Sequence, residues 1–224
     1  MFNQEVATAS RSQEAVFATN KLIRNTYTLL AMTLLVSAVT AGIAMLSNAG
    51  PVNFWIMLIV FIGGPFLIEK FKNSAAGIAL TFAFTAVMGY ILGPILSMYL
   101  ALPNGSQIVT LALGMTGVIF LGLSGYALST RKDFSYMGGF VMVGSLVALV
   151  AIIANIFLQI PALSLAISGA VVMLISAGIL WKTSMMVNGG ETNYISMTVA
   201  FYTDIYVLLL HLLNLLQFFM GGDD

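Results

Sequence analysis

The stretch that decides the fold is Trp181-Lys182-Thr183-Ser184-Met185-Met186-Val187-Asn188-Gly189-Gly190-Glu191-Thr192-Asn193-Tyr194, continued by Ala200-Phe201-Tyr202-Thr203-Asp204. Long apolar segments flank it on both sides, so it reads as a helix, a glycine turn and a returning helix. No Lys or Arg after Lys132 exists except Lys182, and Asp204 is the one carboxylate set deep inside an apolar run. A lone carboxylate in hydrocarbon is costly and is kept neutral, paired or wetted. Any charge chemistry inside an apolar bundle is therefore expected at Asp204.

Working outward, 60% of the 224 residues are hydrophobic and 7% are charged. A soluble domain carries about 25% charged residues. Seven apolar runs reach spanning length, at about 27–46, 53–68, 75–100, 108–128, 137–158, 161–181 and 194–219. They predict an all-α integral membrane protein, a seven-helix bundle over 26–220. A polar N-terminal tail, 1–25, precedes it and a short tail, 221–224, follows. The net charge of zero gives no case for nucleic acid. The chain has no cysteine, which removes disulfides and thiolate chemistry. Residues 1–25 have no apolar core before a cleavage site, so no cleaved signal peptide is expected.

Glycine and proline punctuate the spans. Gly63-Gly64-Pro65 is expected to kink the second. Gly89-Tyr90-Ile91-Leu92-Gly93 in the third is a GxxxG, which lets two backbones approach closely. Gly114, Gly117 and Ser124 fall on one face of the fourth and predict a packing seam. Gly144, Ala148, Ala151 and Asn155 do the same in the fifth, with Asn155 expected to bond across the seam.

Orientation follows from the basic residues. Arg11, Lys21 and Arg24 precede span one; Lys70 and Lys72 follow span two, Arg131 and Lys132 follow span four, and Lys182 ends span six. The connections after spans one, three and five contain no Lys or Arg. The positive-inside rule then puts the N-terminus in the cytoplasm and the C-terminus in the periplasm.

The catalytic classes fail one by one. His211 is the only histidine, so no histidine cluster holds a metal. There is no HExxH and no GxSxG. An intramembrane aspartyl protease needs two carboxylates in the membrane, and only Asp204 is clearly there. The chain is read as a non-enzyme without a cofactor.

Asp204 lies ten residues past Tyr194, or ~15 Å along the axis, about halfway across a ~30 Å core. About Gly190 as hairpin centre, Lys182 and Asp204 are offset by six residues, or ~9 Å. Side chains lean toward the N-terminus of their helix, so these two lean toward each other. Lys182 either pairs with Asp204, directly or through water, or snorkels to the headgroups and pairs with nothing. Asp204 alone is otherwise a protonated carboxyl bonded to a neighbouring helix. His211, ~10 Å further along nearly the same face, either extends a wet path or is a hydrogen-bonded buried residue.

Several runs carry a resemblance over nearly the whole chain: Asn20-Lys21-Leu22-Ile23-Arg24-Asn25-Thr26-Tyr27, Gly89-Tyr90-Ile91-Leu92-Gly93-Pro94-Ile95-Leu96, Thr130-Arg131-Lys132-Asp133, Ala154-Asn155-Ile156-Phe157-Leu158-Gln159 and Gly189-Gly190-Glu191-Thr192-Asn193-Tyr194. They resemble the Bax inhibitor-1 family, most of all its proteobacterial YccA branch. The resemblance implies a seven-helix bundle with the last helix surrounded by the other six. It implies a bacterial inner-membrane modulator, and inhibitor-like substrate, of the FtsH protease within its complex with HflK and HflC. The cytoplasmic tail around Arg11 and Glu14 is then the expected handle. Its residues 1–20 have low hydrophobicity, charges of both signs and no sustained helical stripe. The wider family also includes pH-sensitive calcium leak channels, gated by an aspartate late in helix six and one in helix seven that share a proton. The second maps onto Asp204 and the first onto Lys182. Two carboxylates together make a pH sensor, whereas lysine with aspartate makes a fixed bridge. Lysine beside a pore also repels calcium. Position 182 thus favours the regulator over a calcium or proton leak.

Overall fold

The computed structural model describes residues 2–221, with side chains from Val16 onward. Asp224 and the rest of the short tail after Gly221 lie outside the described residues, as do the side chains of Arg11 and Glu14. The described chain is seven helices and, among those residues, no strand: α1 (Phe2–Leu46), α2 (Phe54–Phe71), α3 (Ala75–Leu100), α4 (Gly105–Thr130), α5 (Met137–Leu158), α6 (Pro161–Val187) and α7 (Tyr194–Met220). Each is long and apolar enough to cross a membrane. α7 has 27 residues, about 40 Å at ~1.5 Å per residue, so it overhangs a ~30 Å hydrocarbon core by roughly 5 Å at each end.

The first helix differs from expectation. The polar segment 1–25 is not set apart from the first span; α1 runs through both without a break. No proline or glycine occurs between Phe2 and Ala41 to interrupt it, and its polar turns are rich in Ala, Gln and Glu. α6 likewise runs past Trp181 to Val187, so Lys182 sits inside the helix rather than at its end.

Local chemistry sets the boundaries. The Asn193 carboxamide oxygen accepts the amides of Ile195 (2.9 Å) and Ser196 (3.1 Å) and caps α7. Asn53 caps α2 through the Trp55 amide. Pro161 opens α6 in its first turn, where no amide is missed. Gly189, at φ 77°, turns the chain between α6 and α7 in the left-handed region that glycine enters freely.

The connections sort into two ends. Asn193 Nδ2 donates to the Lys72 carbonyl (3.2 Å) and to Asn73 Oδ1 (2.9 Å), tying the α6–α7 turn to the α2–α3 turn. The Phe134 amide donates to Ser184 Oγ (2.9 Å), which donates to the Lys132 carbonyl (3.2 Å), so the α4–α5 loop is tied to the same end. At the opposite end Asn104 Nδ2 donates to the Met220 carbonyl (2.9 Å), joining the α3–α4 turn to the close of α7. The basic connections therefore share one end of the bundle.

α7 packs against α1, α2, α3, α4 and α6. It is not surrounded by all six: α5 packs on α6 alone and buries none of its own residues fully. The GxxxG of α3 makes the α1–α3 seam. A Cβ at Gly89 would overlap the Ser37 carbonyl oxygen, and one at Gly93 would meet the Ala41 carbonyl oxygen at 2.7 Å. Gly64 lies against Phe84, and α2 continues through Pro65. Of the seam expected in α4 only Ser124 packs: Gly114 and Gly117 have nothing within 4 Å, and the buried face is Ala112, Thr116, Phe120, Ser124 and Ala127. In α5, Gly144 does pack on Leu174 of α6. Asn155, however, accepts from the Ile160 amide (3.1 Å) and closes its own loop rather than bonding across the seam.

Candidate functional site

Lys182 comes from α6, just over a turn before its end, and Asp204 from α7, ten residues after its start. Their helices diverge from the Gly189-Gly190 turn as an antiparallel pair. Lys182 Nζ lies 2.7 Å from both Asp204 oxygens, a bidentate contact. The Asp204 side chain is 4% exposed and that of Lys182 20%. The ammonium therefore retains a route to accessible space that the carboxylate lacks. The extra length of α6 places Lys182 on a rigid helical turn, which limits the search its long stem must make.

The pair borders a cavity of about 260 Å³ that Glu69, Ser196 and Thr203 also line. Glu69 Oε2 accepts from Ser196 Oγ (2.7 Å), and Glu69 Oε1 is paired with Lys72. The Glu69 carboxylate raises the pKa of exposed Lys72. At the same end, hydrogen bonds from the Ser135 side chain and amide hold the Asp133 carboxyl below the usual carboxylate range. Asp204 thus sits at the inner floor of a cavity whose mouth is charged and lies at the basic end. Glu69 and Ser196 are site neighbours that the linear sequence does not reveal, because 127 positions separate them.

Beside the pair, α7 is fixed by hydroxyls. Tyr202 OH donates to the Thr85 carbonyl (3.3 Å) and receives the Ser37 hydroxyl (2.8 Å), joining α1, α3 and α7. Tyr27, Ser124, Thr183 and Tyr206 each carry a buried hydroxyl with no hydrogen-bond partner among the described residues.

His211 is not joined to Asp204. It lies seven residues along α7, beside Ser168 of α6: Nδ1 and Ser168 Oγ are 3.0 Å apart, and Ser168 Oγ lies 3.2 Å from Asn214 Oδ1. Among the described residues no group of three or more His, Asp or Glu side chains is placed to hold a metal.

A family profile described as an inhibitor of apoptosis-promoting Bax1 matches residues 19–221. The chain belongs to the Bax inhibitor-1 family. Within it, the chain is 43% identical over 216 residues to the modulator of FtsH protease YccA of Escherichia coli K12, covering 95% of this chain and 97% of the relative. It is 47% identical over 203 residues to an uncharacterized protein of Pseudomonas aeruginosa, 91% of each. It is 41% identical over 222 residues to an uncharacterized membrane protein of Vibrio cholerae, 99% of this chain and all of the relative. In this member of the family, an ammonium and a carboxylate meet between α6 and α7 where the resemblance implies two carboxylates.

Proposed function

We propose that this chain is a bacterial inner-membrane regulator of the FtsH protease, acting as an inhibitor-like substrate of it within the HflK and HflC complex. The observation that carries the reading is the 43% identity to a protein named modulator of FtsH protease, over 97% of that relative's length. The Lys182–Asp204 contact supports it from the geometry. An ammonium 2.7 Å from both carboxylate oxygens bridges α6 and α7. A rigid bundle suits a protein that must resist extraction by a protease. In this reading the basic end faces the cytoplasm, and the N-terminal end of α1, around Arg11 and Glu14, is the part FtsH engages.

The test is affinity capture of the tagged chain from native membranes in gentle detergent. FtsH, HflK and HflC are expected to co-purify. Recovery of the folded chain without FtsH, at FtsH levels where a known substrate is captured, overturns the reading.

One observation favours a second reading, a calcium or proton leak at Asp204: a cavity reaches that carboxylate from the basic end. Lys182 opposes it by filling the carboxylate's coordination and repelling cations. In liposomes across pH 5.5–8, the parent is expected to pass no calcium and Lys182→Asp to leak in a pH-dependent way. A parent that already leaks with a carboxylate-like midpoint replaces the regulator's fixed bridge with a channel.

A further inference from the structure

A second cavity, of about 350 Å³, lies in the other half of the bundle, toward the end opposite the basic connections. Four helices line it, and each supplies polar groups: Tyr99 from α3, Asn155 from α5, Ser164 and Ser168 from α6, His211 and Asn214 from α7. An adjoining cavity of about 600 Å³ shares Ser164 and Asn214 with it and continues past Gln217 to Gly221, the end of α7. Together they form one track, lined by polar groups among apolar ones, from the helix ends inward to His211. α5 makes this possible: it packs on α6 alone, which leaves room between it and α7.

The hydrogen bonds fix the histidine's free nitrogen. Ser168 Oγ has one proton, and Asn214 Oδ1 lies 3.2 Å away to take it. Ser168 Oγ then accepts from His211 Nδ1–H at 3.0 Å. In the neutral ring this leaves the lone pair on Nε2. Nε2 has no hydrogen-bond partner among the described residues, yet it is not among the buried unpartnered atoms. It therefore faces accessible space, and the residue lines the cavity.

Depth makes an occupant necessary. His211 is ten residues from Gly221, or ~15 Å; less the overhang, that is roughly 10 Å inside the hydrocarbon. Polar groups at that depth without partners are costly in lipid. Water resolves this: the cavity has room for several molecules, and His211 Nε2 and the other polar groups of the wall offer them partners.

We propose that this track is a water-filled inlet from the end of the bundle opposite the basic connections, and that it makes His211 Nε2 a proton-binding site served from that side alone. A hydronium ion in the inlet transfers its proton to the Nε2 lone pair, giving imidazolium and water; no other bond forms or breaks. Among the described residues, Tyr99 is the only other titratable side chain on the wall. The α5 and α6 walls carry none, and α1, α2 and α4 contribute nothing to it. On α7, Asp204 lies seven residues inward, ~10 Å away, held by Lys182 and facing the other cavity. The site is thus separate from the Lys182–Asp204 pair and does not depend on the regulatory reading.

The chain has one histidine and no cysteine, so one experiment reads the site cleanly. The full chain is reconstituted in nanodiscs and treated with diethylpyrocarbonate, with the His211 adduct followed by peptide mass spectrometry. Modification is expected in the folded protein, at a rate that rises with pH as Nε2 loses its proton. The conservative Ser164→Cys protein is then treated with a membrane-impermeant cationic methanethiosulfonate. Reaction at position 164 is expected, and with it loss of His211 modification, because the adduct plugs the inlet. An Ala200→Cys protein, with its thiol in the Lys182–Asp204 cavity, serves as the control and should leave His211 reactive after the same treatment. The proposal is overturned by a His211 that reacts only after denaturation, by a rate flat with pH, or by a position 164 that does not react. It is equally overturned if the adduct at 164 leaves His211 reactive, or if the adduct at 200 protects it.

Discussion

Lys182 and Asp204 are held unequally, and that inequality predicts how each fails. Asp204 is buried, at the floor of its cavity, while Lys182 keeps a fifth of its side chain exposed. Removing one partner of a buried pair leaves an uncompensated charge and typically costs about 3–5 kcal/mol. Lys182→Met strands a buried carboxylate on a short side chain that cannot bend outward, so it should show the larger loss. Asp204→Asn strands an ammonium that can bend along its stem toward the charged cavity mouth at Glu69, so it should lose less. The double neutral variant should be more stable than the sum of the two losses. Thermal unfolding of the four proteins in one detergent measures this. Strict additivity would mean that the two groups do not act on each other, and the bridge would then hold nothing together.

Among the elements, the glycines separate what the sequence can state from what it cannot. Gly89 and Gly93 sit in a helix that has α1 against it, so a Cβ at either overlaps α1 backbone. Gly89→Leu should push α1 from α3 and break the Tyr202–Ser37 bond, at a cost at the upper end of the ~1–3 kcal/mol range for overpacking or beyond it. Gly114→Ala meets nothing within 4 Å and should be neutral or stabilising, by up to about 1 kcal/mol from helix propensity. Equal effects in a thermal-shift comparison would remove the distinction. Both sites looked like seams in the sequence, because small-residue spacing reports that a helix can be approached and not which helix approaches. The span count, the turns and the lean of Lys182 toward Asp204 were legible, since hydropathy, glycine and helical geometry act locally or across one hairpin. The partnership of Glu69 with Ser196, and of Ser37 with Tyr202, was not, because 127 and 165 positions separate the partners and no periodicity links them. The detachment of α5 from α7 was equally hidden: α5 is as apolar as its neighbours, and in lipid an unpacked apolar helix carries no penalty that its sequence would have to reveal.

At the scale of the molecule, the two ends differ in charge. The connections that carry Lys72, Arg131 and Lys132 are hydrogen-bonded into one end, and the α3–α4 turn and the close of α7 form the other. In the proposed reading the first end is cytoplasmic, and the start of α1 is then the part offered to the protease. Single cysteines test the topology in this cysteine-free chain. Glu191→Cys and Lys132→Cys should react with an impermeant thiol reagent only from the cytoplasmic side, and Ser106→Cys, in the first turn of α4 at the opposite end, only from the periplasmic side. Deleting residues 2–18 then asks whether the start of α1 is the handle. The buried residues of α1 include Leu22, Leu29, Leu30, Ala41 and Ala44, all beyond the deletion, so the bundle should stay folded with its thermal stability kept. Without the first turns FtsH should have no segment to grip, and pulse-chase should show a longer lifetime in cells than for the full chain. An unchanged degradation rate would move the handle elsewhere, and labelling of position 106 from the cytoplasm would invert the bundle and remove the reason for placing the handle on α1.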